Sequence, residues 1–446
     1  MGKVDLTKGN IMKGILLFAL PIFIGEFFSV LYGLIDMRIV GSVLGETSLA
    51  AVSSTSSLSE FIIELEDGIA VGFGVVLSHI IASKNQDKVK RAVALSSLII
   101  IALSIVISGL VMIFINPILN FLNVEQSIFD EAKIYIIVTL IGIIFLAVYN
   151  LFVAVLRSAG DSFTPLIFLI VSNVLNIILD VVFVRNLSLG VSGAAWATAI
   201  TQFICCVGCL VYFRIFKKDM LIILYDFVPD MELFKSLVKK GLSMGGIISF
   251  VLLGSVVLQT AVNGFGTGII VAHTVADRII ILCLMPILSV GSALYYFCEQ
   301  NKEINDIGRI KKGIKQSILL SAVWCVITIV IIYSFSEKMI TSVTAVFSEE
   351  VVEDGMRYLE IDSMFFILSG LVCIIRNCLQ GVGDDKTPLI TNVIELIVKV
   401  LLTYTLVVWL GSFGVIIVEP IVWTVMVISL AFMLARKKLM ITTNRT

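Results

Sequence analysis

Acidic, amide and hydroxyl side chains recur at helical spacing inside two neighbouring apolar stretches of the chain. Asn173, Asn176 and Asp180 stand at i, i+3 and i+7, which places them on one face of a helix. Thr198 and Gln202 form a similar stripe a short distance downstream. Carboxylate, amide and hydroxyl oxygens suit a hard cation such as Na⁺, whereas a desolvated carboxylate beside a like charge can instead hold a proton. The residue types therefore predict a cation site and leave Na⁺ and H⁺ as open alternatives.

A second group of acids lies well inside another apolar segment. Glu60, Glu64 and Asp67 share one helix face at i, i+4 and i+7, and Glu66 lies beside them. Three carboxylates on one cavity wall would attract positively charged substrates or add proton sites. The alternative is that some of these acids reach water in a broken or tilted helix.

The second half of the chain carries an acid and a base one helical turn apart. Glu395 and Lys399 stand at i, i+4 with the glutamate first, which is the favoured order for an ion pair within a helix. We interpret them as a self-neutralising structural pair, with a charge switch seen by substrate or ion as the alternative. Glu360, Asp362 and Glu419 are further candidate functional acids of this half, and their geometry is open.

Composition indicates the elements that must position these groups. Of 446 residues, 59% are hydrophobic and 15% charged, whereas soluble domains carry about 25% charge. A spanning helix takes roughly 20 apolar residues, so the sequence predicts an all-α integral membrane protein with twelve transmembrane helices. The net charge of −1 gives no basic surface for nucleic acid. The predicted spans are 12–36, 48–82, 92–115, 133–156, 164–186, 190–213, 240–263, 267–298, 315–336, 356–380, 387–410 and 414–436.

An internal repeat divides the chain into halves. Segment 156–167 recurs at 379–390 with seven of twelve positions identical. We expect a glycine to permit the turn, Asp161 or Asp384 to cap the next helix, and a proline to occupy its first turn. Six helices per half give parallel repeats related by a pseudo-two-fold axis along the membrane normal. The predicted domains are an N-terminal six-helix lobe (1–213), a cytoplasmic linker (214–239) and a C-terminal six-helix lobe with a short cytoplasmic tail (240–446).

The distribution of Lys and Arg predicts orientation, because cytoplasmic loops retain positive charge. Twenty-five of these residues, Arg376 among them, fall in loops on one side and five on the other. Both termini are therefore expected on the cytoplasmic side of the cell membrane. Two histidines and the lack of H-E-x-x-H, G-x-S-x-G and P-loop motifs argue against an enzyme. We expect no cofactor beyond a transported Na⁺ or H⁺.

Five segments are informative in combination: 36–41 (DMRIVG), 156–161 (LRSAGD) with Thr164 and Pro165, 173–180 (NVLNIILD), 190–198 (GVSGAAWAT) and 261–266 (AVNGFG). Together they resemble the multidrug and toxic compound extrusion (MATE) family, and the likeness runs from about residue 10 to 436. The resemblance implies an alternating-access antiporter that exports organic cations as Na⁺ or H⁺ enters. It also implies a coupling-cation site at Asp36, Asn176, Asp180 and Thr198, which would be the metal ligands if the ion is Na⁺.

A wider set of residues forms the predicted substrate cavity, and we expect a monomer in the lipid bilayer that binds a small organic cation. A flippase for lipid-linked oligosaccharide is the alternative function, but it would require a basic cavity able to hold pyrophosphate. The intramembrane charges here are mostly acidic, with Lys399 the clearest exception. The cavity residues are Tyr32, Glu60, Glu64, Asp67, Tyr149, Asn150, Asn173, Gln202, Gln259, Glu395 and Lys399.

Overall fold

A computed structural model describes residues 6–82, 85–159, 161, 163–217, 227, 229–344, 348–384 and 386–443. Over these residues the chain is helical and contains no β-strand. The α-helices are α1 Ile11–Leu44, α2 Glu46–Ser54, α3 Ser56–Ala82, α4 Gln86–Ile113, α5 Ile115–Phe121, α6 Phe129–Ser158, α7 Phe163–Asp180, α8 Val191–Phe216, α9 Met231–Val262, α10 Thr267–Glu303, α11 Ile307–Thr344, α12 Glu349–Ser363, α13 Phe366–Gly381, α14 Lys386–Leu410 and α15 Ser412–Thr443.

Each of the twelve predicted spans corresponds to one of these helices or to a consecutive pair. Within the described ranges, nine helices are long and apolar enough to cross a membrane, and α12 with α13, bent by 54°, makes a tenth. The other two predicted spans fall on α2 with α3 and on α9. Neither meets this criterion of length and composition over the described residues; α3 carries four acidic residues.

By contacts between residues the chain divides into two compact units, and the division falls within α1. The N-terminal unit is Ile35–Thr267, and the C-terminal unit is Met1–Leu34 with Gly268–Thr446. These units differ from the halves defined by the sequence repeat, because α9 packs with the N-terminal unit and the first part of α1 with the C-terminal unit. Compactness and sequence repetition are different properties, so the predicted domains stay a prediction.

Glycines explain why α9 belongs to the N-terminal unit. A Cβ atom added at Gly72 of α3 would lie 2.6 Å from the Lys240 carbonyl oxygen, and one at Gly241 of α9 would lie 2.6 Å from the Phe73 ring. Such distances are too short for any side chain. Small residues thus let α3 and α9 approach closely, as they do at many helix interfaces in membranes.

The repeated segment forms the same cap in both copies. The Thr164 amide and hydroxyl donate to the two carboxylate oxygens of Asp161, at 3.0 and 2.8 Å. The Thr387 amide and hydroxyl donate to Asp384 at 3.3 and 2.7 Å. Gly383 has φ 77°, the left-handed conformation expected of the turn, while Gly160 lies outside the described residues. The predicted capping role is therefore confirmed.

Candidate functional site

The N-terminal unit brings together the four residues of the predicted cation site. Asn176 on α7 donates to the Thr198 hydroxyl on α8 at 3.1 Å. The carboxyl group of Asp36 on α1 hydrogen-bonds that of Asp180, whose side chain is 0% exposed. Because an ionised carboxylate has no donor, a bond between two carboxyl groups requires a proton on one of them. The arrangement can therefore hold a proton, and its clustered oxygens could also bind a small cation.

A π-helical turn positions Asp180. The α-helix α7 ends at Asp180, and Val181–Asn186 continues it as a π-helix. Such turns are rare and occur frequently at functional sites. Gly190, with φ 65°, then starts α8, and a Cβ at Gly193 would lie 3.1 Å from the Phe183 backbone. This close approach holds the start of α8 against the π-helical turn and so sets Thr198 beside α7.

Tyr135 on α6 is part of this site and was not predicted. It lies within electrostatic range of both Asp36 and Asp180. Its own backbone is tied to the next turn of α6, because the Thr139 hydroxyl donates to its carbonyl at 2.9 Å. No periodicity joins Tyr135 to the stripes on α7 and α8, so the sequence alone contains no signal for it.

Three polar atoms next to the site lack hydrogen-bond partners among the described residues. They are Asn173 Nδ2 on α7 and Thr201 Oγ1 and Gln202 Oε1 on α8. A Cβ at Gly142 would lie 2.5 Å from Gln202 Oε1, so only glycine leaves room for that amide. Buried polar groups normally have hydrogen-bond partners. Buried polar atoms that lack such partners on two adjoining helices are suited to bind a ligand. Asn173 and Gln202 were both predicted as cavity residues.

The acids of α3 do not share one environment. Glu64 is exposed, Glu60 and Asp67 are half-buried, and Asp67 lies within electrostatic range of Arg157. No group of three or more His, Cys, Asp or Glu able to hold a metal occurs within the described residues. Glu66 is the most buried of the four at 1% exposure.

Glu66 faces the neighbouring helix rather than open space. It accepts a hydrogen bond from Ser104 of α4 at 3.2 Å. Its other carboxylate oxygen, Oε1, has no partner among the described residues. The sequence offered this acid as part of the group, but its spacing set it apart from the predicted face.

Four other predicted cavity residues lie in the N-terminal half of the chain or at α9, and Gln259 and Tyr149 among them have contacts within the protein. Gln259 donates to Asn263 at 2.8 Å and accepts from Ser57 at 3.2 Å, so both ends of its amide are occupied within the protein. Tyr149 is 9% exposed and packs in a core with Phe73 and Ile69. Two further predicted residues, Tyr32 and Asn150, are half-buried on α1 and α6.

The C-terminal unit holds a different polar network, which corrects the predicted pair of Glu395 and Lys399. Glu395 pairs with Arg376 of α13 at 2.7 Å, and Lys399 forms an ion pair with Glu419 of α15. Glu395 also lies within electrostatic range of Lys399, so the two belong to a larger network rather than to a self-contained pair. The prediction counted Arg376 as a loop residue, but its side chain is committed to this network.

Two more acids lie close to Lys399. Asp277 on α10 and Asp362 on α12 both lie within electrostatic range of Lys399 and Glu419. Asp362 is 1% exposed, and its Oδ1 atom has no hydrogen-bond partner among the described residues. The sequence pointed to Asp362 and Glu419 without geometry, and it missed Asp277 because a single acid near a helix start has no periodic partner.

Comparisons with known proteins place the chain in a family. The chain matches the MatE family over residues 21–182 and 246–405. It is 26% identical to the "Probable multidrug resistance protein YpnP" of Bacillus subtilis (strain 168), with 93% of each chain covered. It is 23% identical to the "Multidrug export protein MepA" of Staphylococcus saprophyticus subsp. saprophyticus, covering 94% of this chain and 91% of that protein.

A solved structure shows the same fold. The inward-facing conformation of a multidrug resistance MATE family transporter of the MOP superfamily superposes with a TM-score of 0.85 at 23% identity, covering 93% of this chain and 95% of that chain. The twelve-helix, two-lobe membrane fold expected from the sequence is thus the fold of this chain. The chain belongs to the MatE family, a family of multi-pass membrane transporters of multidrug efflux rather than of enzymes.

Proposed function

We propose that the protein exports organic cations by antiport, coupled to the entry of protons or Na⁺ through the site at Asp36 and Asp180. The observation that carries this proposal is the hydrogen bond between the two carboxyl groups inside the helices of the N-terminal unit. Ionisable groups in spanning helices are costly and normally serve transport or pair with each other. A pair of carboxyl groups can bind and release a proton or a small cation, as a coupling site must.

The proton is the coupling ion that the geometry favours. Two carboxyl groups in direct hydrogen bond already share one proton, whereas Na⁺ would have to replace that proton and separate the oxygens. Na⁺ remains the alternative, with Asn176 and Thr198 as its neutral oxygen ligands. Loss of the shared proton, or its replacement by Na⁺, would break the hydrogen bond between Asp36 and Asp180 and so change how α1 packs against α7.

The substrate class follows from charge. Carboxyl groups on α3 and unmet amide groups on α7 and α8 favour a cation that also accepts and donates hydrogen bonds. Arg376 and Lys399, the two basic residues of the C-terminal polar network, are each paired with a carboxylate. An anionic lipid carrier would need such groups free to bind its pyrophosphate, so the charges favour an organic cation over the flippase alternative.

We further propose that the protein acts as a monomer in the cell membrane with both termini in the cytoplasm. The excess of Lys and Arg in loops on one side supports this orientation.

Transport by purified protein in proteoliposomes tests the proposal. Vesicles loaded with a fluorescent organic cation would be placed in an imposed pH gradient, an imposed Na⁺ gradient, or neither. We expect efflux above the protein-free rate only with a gradient, and more strongly with the proton gradient. A fluorescent anion of similar size serves as the matched substrate control. Equal efflux with and without gradients would contradict antiport, and efflux of the anion alone would contradict the substrate class.

A further inference from the structure

An apolar pocket lies within the C-terminal unit, between α1, α10 and α11. Its volume is about 840 Å³, within the range of sites that bind small molecules. The wall on α1 runs from Asn10 to Phe23. The other walls come from the turn of α10 that contains Pro286 and from the turn of α11 that ends at Trp324. None of the polar groups of the candidate cation site or of the Lys399 network lines it.

The pocket changes from polar to apolar along α1. Asn10 and Lys13 line one end, and the lining side chains that follow on α1 are apolar, including Leu17 and Leu20, which are half or nearly half exposed. The distance along the helix from Asn10 to Phe23 is about 20 Å at 1.5 Å per residue. One leaflet of the hydrocarbon core is roughly 15 Å deep. The pocket thus extends over the depth of one leaflet, with its charged group at the end nearer the N-terminus.

The charged end is held in place by two sets of contacts. The Asn10 side chain accepts from the Lys13 backbone amide at 3.0 Å and so caps α1. The guanidinium group of Arg309 on α11 donates to the carbonyl oxygens of Leu6, Lys8 and Gly9. These contacts fasten the segment before α1 to α11, while the Lys13 side chain stays exposed at the pocket. A lysine side chain at the mouth of an apolar pocket, on a helix start that is held in place, matches a molecule with an anionic head and a long apolar chain.

We propose that this pocket binds an anionic phospholipid of the surrounding bilayer, with an acyl chain between α1, α10 and α11 and the headgroup phosphate at Lys13. A phospholipid fits better than a soluble ligand because the leucines that line the pocket on α1 are exposed to the membrane. An anionic headgroup fits better than a zwitterionic one because Lys13 has no acidic neighbour in the pocket lining.

Photolabelling in nanodiscs tests the proposal. The purified full-length protein is reconstituted with phosphatidylglycerol or phosphatidylcholine that carries the same photoreactive acyl chain, and labelled peptides are quantified by mass spectrometry. We expect phosphatidylglycerol to label the pocket helices about fivefold more than phosphatidylcholine, the preference that one lysine near a membrane surface confers. Lys13→Gln should remove the preference, and Lys13→Arg should keep it. Leu20→Trp should fill the pocket and reduce labelling by both lipids.

Matched variants elsewhere provide the controls. Lys235→Gln changes an exposed lysine of α9, and Leu98→Trp enlarges an exposed leucine of α4; both should label as the unchanged protein does. Equal labelling by the two lipids, or labelling that survives Leu20→Trp, would overturn the proposal. Displacement of the label by free fatty acid but not by unlabelled phosphatidylglycerol would also overturn it. Thermal unfolding of each variant distinguishes a loss of labelling from a loss of fold. If Lys13→Gln unfolds, the lipid preference of Lys13→Arg is measured instead, and its loss would contradict the proposal.

Discussion

The ammonium group of Lys399 on α14 is paired with the Glu419 carboxylate on α15, and Lys399 is only 5% exposed. Lys399→Met should destabilise the protein by about 3 kcal/mol, the lower end of the range for breaking a buried ion pair, because it leaves the partly buried Glu419 carboxylate without its partner. Adding Glu419→Gln should recover part of that loss. Thermal unfolding in detergent measures both, with Lys312→Met, an exposed lysine of α11, as the control. If Lys399→Met alone is as stable as the unchanged protein, the ion pair contributes little to the stability of the fold.

Asp36→Asn should reduce gradient-driven export at least tenfold while the protein still folds, because the amide keeps the shape of the carboxyl group but cannot exchange a proton. Asp180→Asn should have the same effect, since the two residues hold one proton together. Efflux from proteoliposomes measures the loss. Asp230→Asn is the control, because Asp230 caps α9 at an exposed position and asparagine caps equally well. Undiminished export by Asp36→Asn would exclude this residue from coupling.

Tyr135→Phe should weaken the coupling ion's apparent affinity about tenfold and leave the maximal export rate nearly unchanged. The hydroxyl lies within electrostatic range of both carboxyl groups, and a tenfold change in affinity corresponds to about 1.4 kcal/mol of interaction with the ion-bound site. The measurement is the export rate as a function of proton or Na⁺ concentration. Tyr333→Phe removes an exposed hydroxyl from α11 and should change neither parameter. If Tyr135→Phe lowers only the maximal rate, its role is in packing.

Gly72→Ala should destabilise the N-terminal unit by about 1–3 kcal/mol, the usual cost of an added carbon in a tightly packed interface. The new Cβ would meet the Lys240 carbonyl oxygen at 2.6 Å, and backbone cannot move aside as a side chain can. Gly33→Ala is the matched control, because a Cβ there has no atom within 4 Å among the described residues. Unfolding temperatures of the two variants give the comparison. Equal stability of both would mean that α3 and α9 separate without cost.

Asp161→Ala should cost about 1 kcal/mol, the usual value of a helix cap, and the cost should vanish in acid. Partial burial alone would raise the pKa of Asp161, but hydrogen bonds from Thr164, with Lys217 Nζ at 3.9 Å, hold that pKa below its ordinary value of 3.8. A lowered pKa in the folded state adds stability above pH 3.8 and loses it as the pH falls through the folded pKa. Unfolding measured between pH 7 and pH 3 tests the sign. A difference that grows in acid would contradict this cause.

Periodicity and composition were enough to predict the helices and the helix face that carries part of the proposed cation site. Asn173, Asn176 and Asp180 could be placed on one face because helical spacing is fixed by the backbone. Thr198 and Asp36 entered through resemblance to a family, and the structure brings both to that face.

Contacts between distant segments could not be predicted from the sequence. The sequence predicted a pair of Lys399 with Glu395 from their spacing of one helical turn. In the structure Lys399 pairs with Glu419 of α15, and Glu395 pairs with Arg376 of α13. Gln259 was assigned to a cavity, yet Ser57 and Asn263 occupy its amide. The partner of a polar side chain depends on how helices pack, which local spacing in the sequence does not show.

The π-helical turn after Asp180 gives this helix a second register. A π turn holds one residue more than an α turn, so relaxing it to α geometry would rotate the segment on one side by about 100° relative to the other. Asp180 stands at that junction. Movement of this one extra residue along the helix would therefore turn the Asp180 carboxyl group toward or away from its neighbours without any tilt of the helix as a rigid body.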